Sequence, residues 1–157
     1  PDYFFSLFNG RLSKSLTDYQ NIRKTELKEG FSEDAGMLIS FEQLAFRIKT
    51  WEDYINNYPE AYNIKEARFF YQTYLETFLT GMDNSRVYDL EDEYVLPEIR
   101  ELYTKYINDN PDRESTKIIA DYYNFIERHE FRYNDSIDIF LKKHKLSSML
   151  GVQPHLR

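Results

Sequence analysis

Tyr54-Ile55-Asn56-Asn57-Tyr58-Pro59 returns 52 positions later as Tyr106-Ile107-Asn108-Asp109-Asn110-Pro111, and no other part of the chain repeats so plainly. Before each proline the apolar residues fall three or four apart: Phe41, Leu44, Ala45, Ile48, Trp51 and Ile55 in the first copy, Val95, Ile99, Leu102 and Tyr106 in the second. That spacing predicts a helix with one buried stripe. A proline pushes the preceding residue out of the helical region and cannot continue the ladder, so the helices are expected to stop at Tyr58 and Asn110. Four residues beyond each proline stands a capping residue, Asn63 or Ser115, and Glu66 three positions after Asn63 would complete a capping box. The repeated unit reads as helix, proline turn, capped helix.

After Asn63, the residues Ala67, Phe70, Tyr71, Tyr74, Leu75 and Phe78 make one broad stripe, widened by Phe69 and Leu79. A helix so apolar is expected at the centre of the fold, with Gly81 as its left-handed terminator. The second copy carries Ile118, Ile119, Tyr122, Tyr123 and Ile126, and the register also pairs Lys65 with Lys117, Phe70 with Tyr122 and Tyr71 with Tyr123. Five glycines and five prolines are few for an all-β chain of this length. The expectation is an all-α protein of antiparallel helical hairpins, about six helices forming a short α-solenoid or an irregular helical bundle. One helical domain over residues 1–157 is expected, with hairpins at 41–81 and 92–131, large enough to bury roughly 68–70% of its unfolded surface.

Elsewhere the chain reads as follows. The aromatic stretch Pro1 to Gly10 is expected to pack on the domain, since it would be sticky if exposed. Leu12, Leu16, Tyr19, Ile22 and Leu27 predict an amphipathic helix from Arg11 to Lys28, stopped by Gly30, with Arg11, Lys14, Arg23, Lys24 and Lys28 on a solvated face. Residues 31–40 read as a linker ending in a Ser40/Gln43 capping box. A polar loop from Gly81 to Asp89 leads into Asp89-Leu90-Glu91-Asp92-Glu93, the densest acidic cluster. Its spacing does not fit a calcium loop, and acids at a helix start are the expectation. Pro97 either opens a helix or kinks one begun near Asp89. Asn134 and Asp135 are expected to cap a last helix over Ser136 to Ser147, with Ile137, Phe140 and Leu141 inward and Lys142, Lys143 and Lys145 at its end.

The charge balance argues against nucleic acid as a partner. Residues 137–157 carry a net +3, which leaves −10 on the remainder to reach −7, and an acidic body repels phosphate backbones. The absence of cysteine excludes disulfides, thiolate metal sites and cysteine nucleophiles in this chain. No apolar run of 18 residues exists, so no transmembrane segment is expected. Opening on Pro1 rather than Met, the sequence is expected to be a mature form or a piece of a longer chain.

Reaction chemistry finds little footing. The histidines are His129, His144 and His155, and Glu127-Arg128-His129-Glu130 matches neither a zinc-protease nor a di-iron pattern. No nucleophile elbow, phosphate loop or dinucleotide glycine motif is present. Glu98 and Glu101 share a helical face, but Lys105 stands four residues after Glu101 as an ordinary partner. The protein is not expected to be an enzyme, and neither a cofactor nor a metal is expected.

Trp51 to Phe78 joins a Tyr-Ile-x-x-Tyr-Pro turn to Lys65-Glu66-Ala67-Arg68 and an aromatic-rich second helix. This stretch resembles the tetratricopeptide-type helical repeats of bacterial envelope proteins, and Leu102 to Ile126 resembles them more loosely. The resemblance implies a scaffold that binds another protein or peptide rather than a reaction, and leans towards a periplasmic or cell-surface location. With 14 tyrosines and 12 phenylalanines, the aromatic side chains either fill the gaps between helices or line a binding groove. In the second case Trp51, Tyr62, Tyr71, Tyr74, Tyr122 and Tyr123 are the candidate binding residues. The alternative reading is a small-molecule or glycan-binding helical domain of a bacterial surface protein, with Trp51 or a tyrosine stacked on a sugar ring.

Overall fold

The computed structural model describes residues 12–146 and is all-α. Among those residues six helices run in the order α1 (Lys14–Glu29), α2 (Phe41–Asn57), α3 (Ile64–Thr80), α4 (Pro97–Asp109), α5 (Glu114–Arg128) and α6 (Ser136–Lys143). Two small antiparallel hairpins interrupt them, β1 (Ser32–Glu33) with β2 (Gly36–Met37) and β3 (Gly81–Met82) with β4 (Ser85–Arg86). The packed aromatic stretch expected over Pro1 to Gly10 lies outside the described residues, whereas the last helix, expected to run to Ser147, ends at Lys143 with His144 as its cap.

Local chemistry sets most boundaries where expected. Ser40 and Gln43 form the reciprocal capping box at the start of α2. Tyr58 and Asn110 end α2 and α4 ahead of their prolines, and Pro97 opens α4 as its first residue. Gly30 and Gly81 terminate α1 and α3 with φ of 75° and 71°. A Cβ on Gly81 would lie 2.5 Å from the carbonyl oxygen of Ser85, so glycine is needed both for its conformation and for the close approach of β4.

Other local expectations gave way to tertiary contacts. Asn63 precedes α3 but makes no side-chain cap; its Oδ1 turns inward and accepts from the Tyr54 hydroxyl at 3.0 Å. Ser115 lies inside α5 rather than capping it, because the capping acceptor arrives from α2. Residues 31–40 and 81–89 are hairpins rather than plain loops. Strands of two residues carry no alternation for a sequence reading to find. The hairpins also meet each other, with Ser85 Oγ accepting from the Met37 amide at 2.8 Å and Ala35 O accepting from the Asn84 amide at 2.9 Å. The acidic cluster Asp89–Glu93 does not begin a helix; it forms an exposed turn bracketed by the Tyr88–Val95 bridge, ahead of α4.

On α1, Leu27 was expected inward but is exposed, and Glu26 takes the inward position instead. Its carboxylate accepts from the Trp51 indole N–H and from Arg23, each at 2.7 Å. Arg23 is therefore not a solvated charge, and its guanidinium lies 3.9 Å over the Phe70 ring. Buried Arg47 adds a second tie, donating to Glu29 at 2.9 Å and to the Gly30 carbonyl at 2.7 Å. These contacts fasten α1 to α2 and α3.

The centre of the core is α3. Every residue from Thr73 to Leu79 is buried, so this half of the helix is covered on all sides. Phe78 meets Tyr103 and Tyr106 of α4 with ring centroids 5.3 and 5.6 Å apart. Tyr122 of α5 is closed over by Phe140 of α6 at 5.3 Å. Ile137, Phe140 and Leu141 point inward as expected, and a single cluster of buried side chains runs from Ile39 to Leu146.

The 52-residue offset also holds in three dimensions. Trp51 and Tyr103, Tyr54 and Tyr106, Ala67 and Ile119, and Tyr74 and Ile126 are all buried pairs at that offset. Tyr54 bonds to Asn63 across nine positions, and Tyr106 bonds to Ser115 across the same nine, at 3.0 and 2.8 Å. At these positions the α2–α3 and α4–α5 hairpins place side chains at equivalent depths, whereas Glu52 and Leu75 are buried and their counterparts Thr104 and Glu127 exposed.

Candidate binding groove

Two surfaces on these hairpins carry polar chemistry, one filled and one open. The filled surface lies on α2, where Glu52 is almost fully buried. Its Oε1 accepts from the amides of Glu114 at 2.7 Å and Ser115 at 3.3 Å, and its Oε2 accepts from Ser115 Oγ at 2.5 Å. Since the Ser115 hydrogen goes to Glu52, the Tyr106 hydroxyl donates to Ser115 Oγ. The first amides of a helix have no partner within it and carry partial positive charge, so a carboxylate from another helix is a strong acceptor there. Arg113 completes the seat: its guanidinium forks onto Asp53 at 2.7 and 3.2 Å and reaches towards the Lys49 carbonyl. Hydrogen bonding to Asp53 holds the Arg113 guanidinium above its ordinary pKa. The Tyr71 hydroxyl is enclosed at the same place without a hydrogen-bond partner, and burial pushes its pKa up. Burial likewise raises Tyr106 to about 12, against the opposing bond to Ser115.

The open surface is a groove of about 460 Å³ between α4 and α5. Two rows four residues apart on α4 line it, Arg100-Thr104-Asn108 and Glu101-Lys105-Asp109, with Tyr123 facing them from α5. Arg100 is fixed by donation to the Val95 carbonyl at 2.7 Å and by the Phe131 ring 4.4 Å away. Lys105 pairs with Asp109, not with the Glu101 that the sequence suggested. Thr104 donates to the Arg100 carbonyl at 3.0 Å and keeps its oxygen available as an acceptor. Tyr123 leans on Phe131 with 5.6 Å between ring centroids. The arrangement offers alternating charge, amide and hydroxyl groups around one aromatic ring, all open to solvent on one side.

The six aromatic candidates do not share a concavity. Trp51, Tyr74 and Tyr122 are core side chains with 0%, 3% and 0% exposure, so none can present a ring to a partner. Trp51 is stacked on Phe70 at 5.2 Å and its indole N–H is committed to Glu26, which also removes it as a sugar platform. Tyr71 lies in the filled seat. Tyr62 is 99% exposed and stands alone in the proline turn before α3. Only Tyr123 of the six reaches the groove. The physical reason is helical periodicity: a tyrosine stripe spaced three and four apart marks the face that neighbouring helices cover.

The groove residues Arg100, Glu101, Thr104, Lys105, Asn108 and Asp109 escaped the sequence reading because charged residues at i and i+4 ordinarily mark a solvated helix face. The 52-residue offset was the signal that could have found them, since it carries Glu101, Thr104 and Lys105 onto Lys49, Glu52 and Asp53. Among the described residues no group of histidine and carboxylate side chains is placed to hold a metal ion, and no helix is long and apolar enough to cross a membrane. Compared with protein-family models, curated proteins and solved structures, the chain matches none.

Proposed function

We propose that this chain is a non-catalytic helical scaffold that binds another protein or a peptide along the groove between α4 and α5. The observation that carries the reading is the groove itself. It is open to solvent, and its two rows of polar side chains follow the helix at regular intervals beside Tyr123. Such a surface suits a polypeptide, whose backbone and side chains meet a series of donors and acceptors in turn. A small molecule or sugar needs a concave site that encloses most of its surface, and Trp51, one of the stacking aromatics offered for the glycan alternative, is buried. The hairpin repetition at an offset of 52 supports the same reading, in keeping with the resemblance to tetratricopeptide-type repeats.

The test is a display selection of random peptides on the intact chain, counter-screened on a Tyr123→Ala/Lys105→Glu double variant whose fold is checked by circular dichroism. Peptides retained by the intact chain and lost by the variant are expected. Repeated selections that return nothing specific, or binders indifferent to both substitutions, would overturn the assignment to this groove.

A further inference from the structure

The groove has an occupied counterpart inside the molecule. Shifted back by 52 positions, Glu101, Thr104, Lys105 and Tyr123 become Lys49, Glu52, Asp53 and Tyr71. Those four positions form the seat that receives the amino-terminal end of α5: Glu52 takes its free amides, Asp53 and the Lys49 carbonyl take Arg113, and the Tyr71 hydroxyl is enclosed beside them. The α4–α5 hairpin presents the same four positions with nothing of the described chain seated on them.

We infer that the groove is a seat for the amino-terminal end of an α-helix with a carboxylate at its N-cap, the position Arg113 holds in α5, supplied by a partner protein. The inference rests on the binding-scaffold reading and names its partner class. Its geometric part is the offset, which puts Thr104, with an acceptor oxygen still open, where Glu52 meets the helix amides. Its electrostatic part is the change of sign at the neighbouring position. Asp53 draws an arginine from the seated helix, whereas Lys105 in the same position repels one and attracts a carboxylate. An ammonium beside the positive end of a helix dipole is unfavourable on its own. A carboxylate at that cap position removes the conflict and is a group helix starts favour. Lys105 already holds Asp109 on its own helix, at an exposed site where such a pair is weak and readily exchanged.

The experiment uses the intact ¹⁵N-labelled chain and three synthetic peptides. The first spans residues 110–128 with Arg113→Asp, held helical by a lactam bridge. The second is the same bridged peptide retaining arginine. The third carries Arg113→Asp but is unbridged, with Ile119→Pro to abolish the helix. The first peptide is expected to shift the amide signals of Thr104, Lys105, Asn108 and Tyr123, and to bind about fivefold more tightly than the second. Lys105→Glu is expected to reverse that order. Equal binding by the third peptide would overturn the helix-end inference while leaving a peptide-binding groove in place. An arginine preference, or no groove shifts with any of the three, would also overturn it, and the display selection then decides separately whether the scaffold reading survives.

Discussion

Removing the Glu52 carboxylate asks how much of the link between the two hairpins depends on a single side chain. In Glu52→Ala the amides of Glu114 and Ser115 lose their acceptor, while Arg113 keeps Asp53 and the Lys49 carbonyl. Ser115 Oγ can turn back towards Tyr106, 2.8 Å away, so its hydroxyl is not orphaned. Two buried or half-buried amides without partners, added to the loss of a helix cap, give an expected cost of about 3 kcal/mol. Glu52→Gln keeps one carbonyl oxygen for the amides but loses the charge, and is expected to cost about 1–1.5 kcal/mol. At roughly 2–4 °C per kcal/mol for a chain of this size, the alanine variant should melt about 6–12 °C lower. Urea unfolding gives the free energy directly, and amide hydrogen exchange at Glu114, Ser115 and Lys117 reports whether the loss is centred on the start of α5. If Glu52→Ala lies within about 0.5 kcal/mol of the parent, or if exchange at α5 is unchanged while stability falls, the carboxylate is not what seats the helix.

Further outcomes follow from the same packing. Tyr122→Ala and Tyr74→Ala are expected to cost about 3–5 kcal/mol each, whereas Tyr62→Ala should lie within about 0.5 kcal/mol; a costly Tyr62→Ala in a urea titration would mean that ring is covered. Gly81→Ala should cost about 2–3 kcal/mol because both its φ of 71° and the Ser85 carbonyl oppose a Cβ, and Gly30→Ala should cost less because the obstructing Leu38 Cδ1 belongs to a movable side chain; equal losses would show that backbone conformation alone decides. With Tyr106 ionising at about 12 when folded and near 10 when unfolded, the unfolded chain gives up its proton first as pH rises. Stability is therefore full below pH 10 and falls by about 1.4 kcal/mol per pH unit from this tyrosine alone between 10 and 12, with Tyr74, Tyr103 and Tyr122 acting in the same direction. A urea midpoint at pH 11 equal to that at pH 9 would contradict it. Trp51→Phe deletes the donor to Glu26 inside the core, and a loss of about 2 kcal/mol is expected in thermal unfolding; a neutral result would mean that Arg23 alone satisfies that carboxylate.

Spacing along the chain was enough to read the helices, the stops at Gly30, Tyr58, Gly81 and Asn110, and the order of the hairpins. An apolar residue every three or four positions, a proline one residue past a helix end, and a glycine that can take φ near 70° act through the nearest turn of backbone. The central place of α3 was legible for the same reason, since a helix apolar around most of its circumference must be covered. The offset of 52 was visible as a match of residue types, and the fold matches it at the buried pairs Trp51/Tyr103 and Tyr54/Tyr106 and in the Tyr54–Asn63 and Tyr106–Ser115 bonds.

What the linear pattern could not assign was which polar groups would face one another across helices. Asn63 and Ser115 read as caps because each is a good local acceptor. In the folded chain each is taken by a tyrosine nine residues earlier, and the cap of α5 comes from Glu52, 62 positions before Glu114. Arg23 read as one solvated charge among several until the buried Glu26 carboxylate gave it a partner. Trp51, Tyr74 and Tyr122 could be read as groove or core, because periodicity identifies a face of a helix without saying whether another helix or solvent lies against it. The open groove was hidden for the opposite reason: its charged rows look like any wet helix surface, and only the seating of α5 on α2 supplies a counterpart to compare it with. The amino-acid order thus determined the helices and their apolar faces through interactions within a turn or two, while the partners of the buried polar groups were decided by contacts between residues far apart in the chain, which exist only once the helices have come together.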